Sequence, residues 1–198
     1  MISLDAADPI EQSGTTVDVT RTYLQLPSRG DLIKVPQPAE PVRIEQATKC
    51  PPSFFRYLYA EVGRQYHWVD RLPWTDEEIA KHLARSEVSV WVMYTDGSPA
   101  GYFELEQHDD GSTEIAYFGL FGHCIGRGLG KYLLAEAVDK AWATGASRVW
   151  LHTCTLDDPA ALPNYTRRGF QAYKQETYQT TLSPEELRWY ELRTPKRP

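Results

Sequence analysis

The chain has 198 residues, 41% of them apolar and 24% charged, the balance of a water-soluble globular protein long enough for one sizeable core. A net charge of −6 argues against a general nucleic-acid binder, which carries a basic face, and suits a cationic acceptor or simple solubility. No apolar run of ~18 residues is available to span a membrane, residues 1–14 lack the apolar core of a secretory signal, and Cys50, Cys124 and Cys154 show neither even pairing nor metal-ligand spacing with the histidines, so reduced thiols in a cytoplasm and no metal are expected.

Residues 1–14 read as loosely attached, and Thr15 to Leu26, rich in Thr, Val, Tyr and Leu, as a possible edge strand. Residues 1–41 therefore form an N-terminal extension, 42–182 the main domain, and 183–198 a terminal helix and tail. A short strand covers Val42 to Gln46. Phe54, Phe55, Leu58, Tyr59 and Val62 recur at helical spacing, which predicts a helix over about 52–63 ending near Gly63. Thr75 with Glu78 is a capping box that opens a second helix, about 76–85.

Three strands follow: Glu87 to Thr95, Gly101 to Gln107 and Thr113 to Leu120. Asp96-Gly97 and Asp109-Asp110-Gly111 join them by short turns, so they pair antiparallel as a meander. A helix begins after Gly128. Leu129, Leu133, Ala137 and Ala141 form one of its rows, Gly130, Leu134, Val138 and Trp142 the next, and Gly145 stops it. Val149 to Cys154 is a buried strand reached by crossover, hence parallel to its neighbour. Asp158 with Pro159 starts another helix, which Pro163 kinks or delays and Gly169 ends. Gln171 to Thr180 is the last strand, and Ser183-Pro184-Glu185-Glu186 opens a terminal helix.

Ile125-Gly126-Arg127-Gly128-Leu129-Gly130 carries the strongest chemical signal. Glycines admit close approach of a ligand to the backbone, and a helix start presents unpaired N–H groups, so the run is a phosphate cradle. A glycine turn that only lets strand and helix pack is the plainer alternative. The Gly-x-Gly-x-Gly spacing and the meander before it disfavour a dinucleotide fold, which needs Gly-x-Gly-x-x-Gly within parallel βαβ units.

This element order, with Thr113 to Leu120, the glycine run and Tyr165-Thr166-Arg167-Arg168-Gly169-Phe170, resembles the GNAT superfamily of acetyl-coenzyme A-dependent N-acetyltransferases over about residues 42–180. Ile125 replaces the Gln or Arg that usually begins the family's loop. Asp158 stands where many members carry Asn seven residues before the Tyr. The resemblance implies an α+β fold: a mixed, mostly antiparallel twisted sheet of six to seven strands with helices on both faces. It implies acetyl-CoA as cosubstrate and a small-molecule primary amine as acceptor, with no metal, nucleic acid or membrane, acting as monomer or homodimer. An acyl-CoA-binding sensor without turnover, or a protein-modifying acetyltransferase, would share the cradle.

On this resemblance the pyrophosphate sits on the amides of Ile125 to Lys131, with Arg127 and Lys131 adding charge. Phe118, Gly119, Leu120 and Phe121 line the pantetheine arm, Asp158 joins the coenzyme site, and the Leu120 N–H holds the oxyanion. Glu114 is the candidate general base, with Glu104 and Glu106 on the next strand as back-ups, or else a structural ion pair. Tyr165 is the candidate general acid for the departing thiolate, or else an aromatic that packs the domain's end. Tyr66 to Trp74 shapes the acceptor pocket. Trp68 and Trp74 can box an amine or simply anchor the loop, Asp70 attracts an ammonium, and Arg71 a carboxylate.

Overall fold

In the computed structural model, which describes residues 14–193, the described chain forms one seven-stranded sheet and five α-helices. The expectations for residues 1–13 and for the tail after residue 193 fall outside the described residues. The strands are β1 (Thr15–Leu26), β2 (Arg43–Gln46), β3 (Val88–Thr95), β4 (Ser98–Gln107), β5 (Ser112–Leu120), β6 (Arg148–Cys154) and β7 (Gln171–Leu182). The helices are α1 (Pro52–Gly63), α2 (Asp76–Leu83), α3 (Leu129–Ala143), α4 (Ala161–Arg167) and α5 (Pro184–Arg193). The expected α+β class is observed.

Local chemistry explains most boundaries. Thr75 and Glu78 complete the capping box of α2. Asp96 and Gly97 both take positive φ, 50° and 79°, as a two-residue hairpin turn requires. Ser183 and Glu186 cap each other's backbone at the start of α5. Pro163 delays α4 as anticipated: the helix starts at Ala161, so the proline falls in the first turn, where no N–H is needed.

The strand order is β2-β3-β4-β5-β6-β1-β7. Neighbours pair antiparallel except β5 and β6, joined by the α3 crossover. The edge position expected for Thr15–Leu26 is corrected: β1 lies inside the sheet, pairing Leu24 with Leu151 of β6 and Thr20 with Thr177 of β7. Its β-branched and aromatic residues suit a half-buried pleat equally at an edge or in the interior, so composition alone does not place it. The extension over 1–41 thus supplies a strand that the sheet depends on.

Two cores cover the two faces. Leu133, Leu134 and Val138 of α3 pack with Phe103, Leu105 and Ile115 on one. Phe55, Leu58 and Val62 of α1 and Ile79 of α2 pack with Val90 and Tyr102 on the other. A smaller cluster, Val19, Leu156 and Leu182, seats α5 on the second face. Two glycines set how closely α1 and its following loop approach the sheet. A Cβ on Gly119 would stand 2.4 Å from Val62 Cγ1, and one on Gly63 would stand 2.6 Å from Trp68 Cβ. Among the described residues no helix is long and apolar enough to cross a membrane.

Candidate active site

β5 and β6 pair over three residues only, Ser112↔Arg148, Thr113↔Val149 and Glu114↔Trp150. Beyond Glu114 they diverge, and a cavity of about 880 Å³ opens between them. That volume suits a sizeable ligand. Its walls are the α1–α2 loop, β5 from Glu114 to Leu120, the glycine loop with the start of α3, and the segment Leu156–Arg168. On the β4 side the register slips by one residue near Ala116, a bulge that re-aims the end of β5. The Phe121 N–H bonds the Ala100 carbonyl at 3.0 Å. Antiparallel alternation then turns the amides of Tyr117 and Gly119 toward β4, and those of Phe118 and Leu120 into the opening.

The glycine loop borders the same cavity. Gly126 and Gly128 have φ of 84° and 76°, a region where a side chain is strained. Gly128 is the N-cap of α3 and no side chain caps that helix, so its first amides are available to an anion. Ile125, Gly130 and Lys131 line the wall. Two expected coenzyme contacts are corrected, those of the Arg127 and Phe121 side chains. Arg127 turns away from the cavity to pair with Glu40, and with Asp96 at 3.5 Å. The Leu129 side chain is fully buried in the core beneath α3, so what it offers an anion is its amide, the first of the helix. Phe121 is buried against α1, its ring 5.6 Å from that of Tyr57.

Across the opening, Tyr165 of α4 sets its ring edge-on to Phe118, centroids 6.1 Å apart. Burial pushes its hydroxyl pKa well up, with Asp157 adding to the effect, so the phenol keeps its proton. Asp158 accepts the Ala160 N–H at 2.8 Å and the Tyr66 hydroxyl at 3.4 Å, tying the start of α4 to the α1–α2 loop.

Glu114 stands where the strands part. Its carboxylate lies 3.2 Å from His108 Nε2 and 3.9 Å from His152 Nε2. Burial raises its pKa, the His108 hydrogen bond offsets part of that, and the negative charge of Glu106 pushes it further up. Glu106 sits directly opposite on β4 and is paired with Arg85 at 2.7 Å.

Glu104 is a different case, and its expected role as back-up base and substrate contact is corrected. It is completely buried, and Arg71 grips both its oxygens at 2.5 and 2.8 Å while His82 approaches at 3.0 Å. Burial alone would raise the Glu104 pKa, but the bonds from His82 and Arg71 prevail and hold it below its ordinary value. Arg71 is likewise committed to Glu104, not free for a substrate carboxylate, and is stacked on Tyr117 and Trp74 at 4.3 and 5.0 Å. Trp74 is absent from the cavity wall and packs on His82. Trp68 and Asp70 do line the cavity. The Trp68 ring lies 5.0 Å from Tyr117, whose hydroxyl donates to Asp70 at 3.4 Å.

Among the cavity residues that escape sequence reasoning, His152 and Arg21 carry the most chemistry. His152 of β6 faces Glu114, its pKa lowered first by burial and then by the charge of Arg21, so the imidazole is neutral near pH 7. Arg21 of β1 reaches the wall with its guanidinium 5.1 Å from the Tyr178 ring. Alternation puts Arg21 and Tyr23 on one face of β1, but nothing local brings β1 beside β6. Among the described residues no group of three His, Cys, Asp or Glu is placed to hold a metal ion.

The family model described as "Acetyltransferase (GNAT) family" matches residues 54–170, more than half of the chain. No curated protein sequence matches. Among solved structures, a GCN5-related N-acetyltransferase from Kribbella flavida aligns with 86% of this chain and 60% of its own, at TM-score 0.60 and 23% identity. A second, from Sphaerobacter thermophilus, aligns with 87% of this chain and 62% of its own, at TM-score 0.59 and 15% identity. The ribosomal-protein-S18-alanine N-acetyltransferase from Escherichia coli aligns with 72% of this chain and 95% of its own, at TM-score 0.52 and 15% identity. The chain thus spans about three-fifths of the length of the first two. From the glycine-capped α3 and the parting of β5 from β6 to the match over residues 54–170, fold and sequence agree: the chain belongs to the acetyltransferase (GNAT) family.

Proposed function

We propose that this chain moves an acetyl group from acetyl-CoA to a primary amine on a small molecule, by direct attack in a ternary complex. The observation that carries this reading is the parting of β5 and β6 after Glu114, which opens one cavity from that carboxylate to the uncapped start of α3. The coenzyme diphosphate rests on the amides that begin α3, with Lys131 beside it. Pantetheine runs along Phe118 to Leu120, whose outward amides supply hydrogen bonds.

The incoming ammonium must lose a proton before it attacks. Glu114, with a pKa raised by burial, takes that proton directly or through water. The amine nitrogen bonds to the thioester carbon, and the Leu120 N–H holds the developing oxyanion. Collapse breaks the carbon–sulfur bond, Tyr165 protonates the thiolate, and the nitrogen gives up its second proton through water to restore the Tyr165 phenol. Three free thiols, Cys50, Cys124 and Cys154, fit a reducing cytoplasm.

Release of free coenzyme A thiol from acetyl-CoA in the presence of an amine panel tests the reaction. Calorimetric titration tests the coenzyme site. Absence of both heat and a thermal shift with millimolar acetyl-CoA would overturn the reading.

A further inference from the structure

We infer that the acceptor is an amino carboxylate of the amino-acid type, its carboxylate held by Arg21 and its amine presented to Glu114 and His152. This rests on the acyl transfer proposed above and names the class of molecule that enters.

Four arginines border the cavity: Arg167 and Arg168 at the end of α4, the latter also with a buried Nε lacking a partner among the described residues, and, on the side of Glu114, Arg71 and Arg21, which are in opposite situations. Arg71 is saturated by Glu104. Arg21 lines the same cavity, yet its Nε is buried without a hydrogen-bond partner among the described residues. The carboxylate opposite it in the β1–β7 register, Glu176, already takes the Tyr23 hydroxyl at 2.8 Å and Lys174 at 2.5 Å. Arg21 is half-buried, and a buried N–H without an acceptor is unfavourable by itself. Its planar fork suits a bidentate carboxylate, which meets donors and charge together.

The spacing fits one small zwitterion. Tyr23 of β1 pairs with His152 of β6, so Arg21 is the diagonal neighbour of His152, about 7–8 Å away along the sheet. His152 in turn lies 3.9 Å from Glu114. A positive group and a carboxylate–imidazole pair able to accept a proton thus face the same space one diagonal step apart. A simple amine would leave Arg21 unpaired and face its repulsion, so the arrangement selects against amines without a carboxylate. Tyr178 under the guanidinium and Trp68 across the cavity offer apolar surface to a side chain.

The test uses matched pairs that differ in the carboxylate alone: phenylalanine with phenethylamine, and lysine with cadaverine. Thiol release gives kcat/KM for each with the wild-type chain, which requires no variant to fold. The expected result is at least a ten-fold preference for the carboxylate member of one pair. Arg21→Gln lowers kcat/KM for that amino acid at least ten-fold more than for its partner amine, chiefly through KM, and Arg21→Lys recovers part of it. Equal or better turnover of the decarboxylated members overturns the inference and leaves acyl transfer standing, as does an Arg21→Gln loss equal for both. Acetyl-CoA that binds but is never turned over with any of the four overturns the transfer on which the inference rests.

Discussion

Arg71 grips both oxygens of Glu104, at 2.5 and 2.8 Å, and so fastens the α1–α2 loop to the centre of the sheet. Neither partner is free to meet a ligand. Arg71 forms part of the cavity wall beside Trp68 and Asp70, with Glu104 buried behind it.

Glu104→Gln leaves the buried Arg71 charge without its counter-ion and is expected to destabilise the fold by about 3–5 kcal/mol. In a chain of this size that lowers the melting temperature by roughly 2–4 °C per kcal/mol. The pH dependence has a definite sign. The folded-state pKa of Glu104 is below its ordinary 4.5, so the unfolded chain takes up the proton first. Stability from this pair is complete above that ordinary value and is lost as pH falls through the folded one. Urea midpoints between pH 7 and 3 should therefore fall more steeply for wild type than for Glu104→Gln.

For Glu114 the shift is upward, so the carboxylate that accepts the amine proton forms only above a pKa displaced from 4.5 toward neutrality. The kcat/KM profile is expected to rise with pH through that raised value. Glu114→Gln should cost about 10²–10⁴ in rate and erase this limb. A profile identical in shape for the two proteins would assign the proton to another group.

Gly128 and Gly130 separate stability from coenzyme binding. Gly128→Ala places a Cβ at φ 76°, with its nearest contact at an ordinary 3.6 Å from Lys131, so its penalty is conformational, about 1–2 kcal/mol. Gly130 lies within α3, where alanine is favoured by about 0.5–1 kcal/mol and would sit 3.6 Å from Leu120. Both methyl groups intrude on the cradle. Acetyl-CoA titration should show weaker binding for both variants, while thermal melts move down for Gly128→Ala and up for Gly130→Ala.

Tyr165→Phe keeps the ring that meets Phe118 and Phe170 and removes only the acidic hydroxyl. The expectation is a fall in kcat of about 10² or more with an unchanged acetyl-CoA affinity. Equal losses in binding and turnover would make the residue a packing element.

What could be read from the residues was mostly local. Thr75 with Glu78, Asp96-Gly97 and Gly145 carry their structural meaning within a few positions, and each lies where that meaning requires. Glu114, Leu120 and Tyr165, expected from the resemblance, share the walls of one cavity. Arg71 and Glu104 were visible as charges, but 33 positions separate them and no periodicity announces that they meet. Arg127 looked like a phosphate ligand because it lies among glycines, yet distant Glu40 captures it. Arg21 was hidden for the same reason: its importance arises from pairing with Cys154 and Glu176, both far along the chain.

The interior placement of β1 also governs when the molecule can close. Residues 15–26 leave the ribosome well before their partners over 171–182, so the ladder between them waits until everything between the two strands has been made. Until β6 and β7 have both been made, β1 lacks a partner on at least one flank, and Arg21 has no pocket to belong to. A truncation beginning at residue 42 would retain the whole span matched by the family model, yet β6 and β7 would flank a missing rung, and the acceptor wall would go with it.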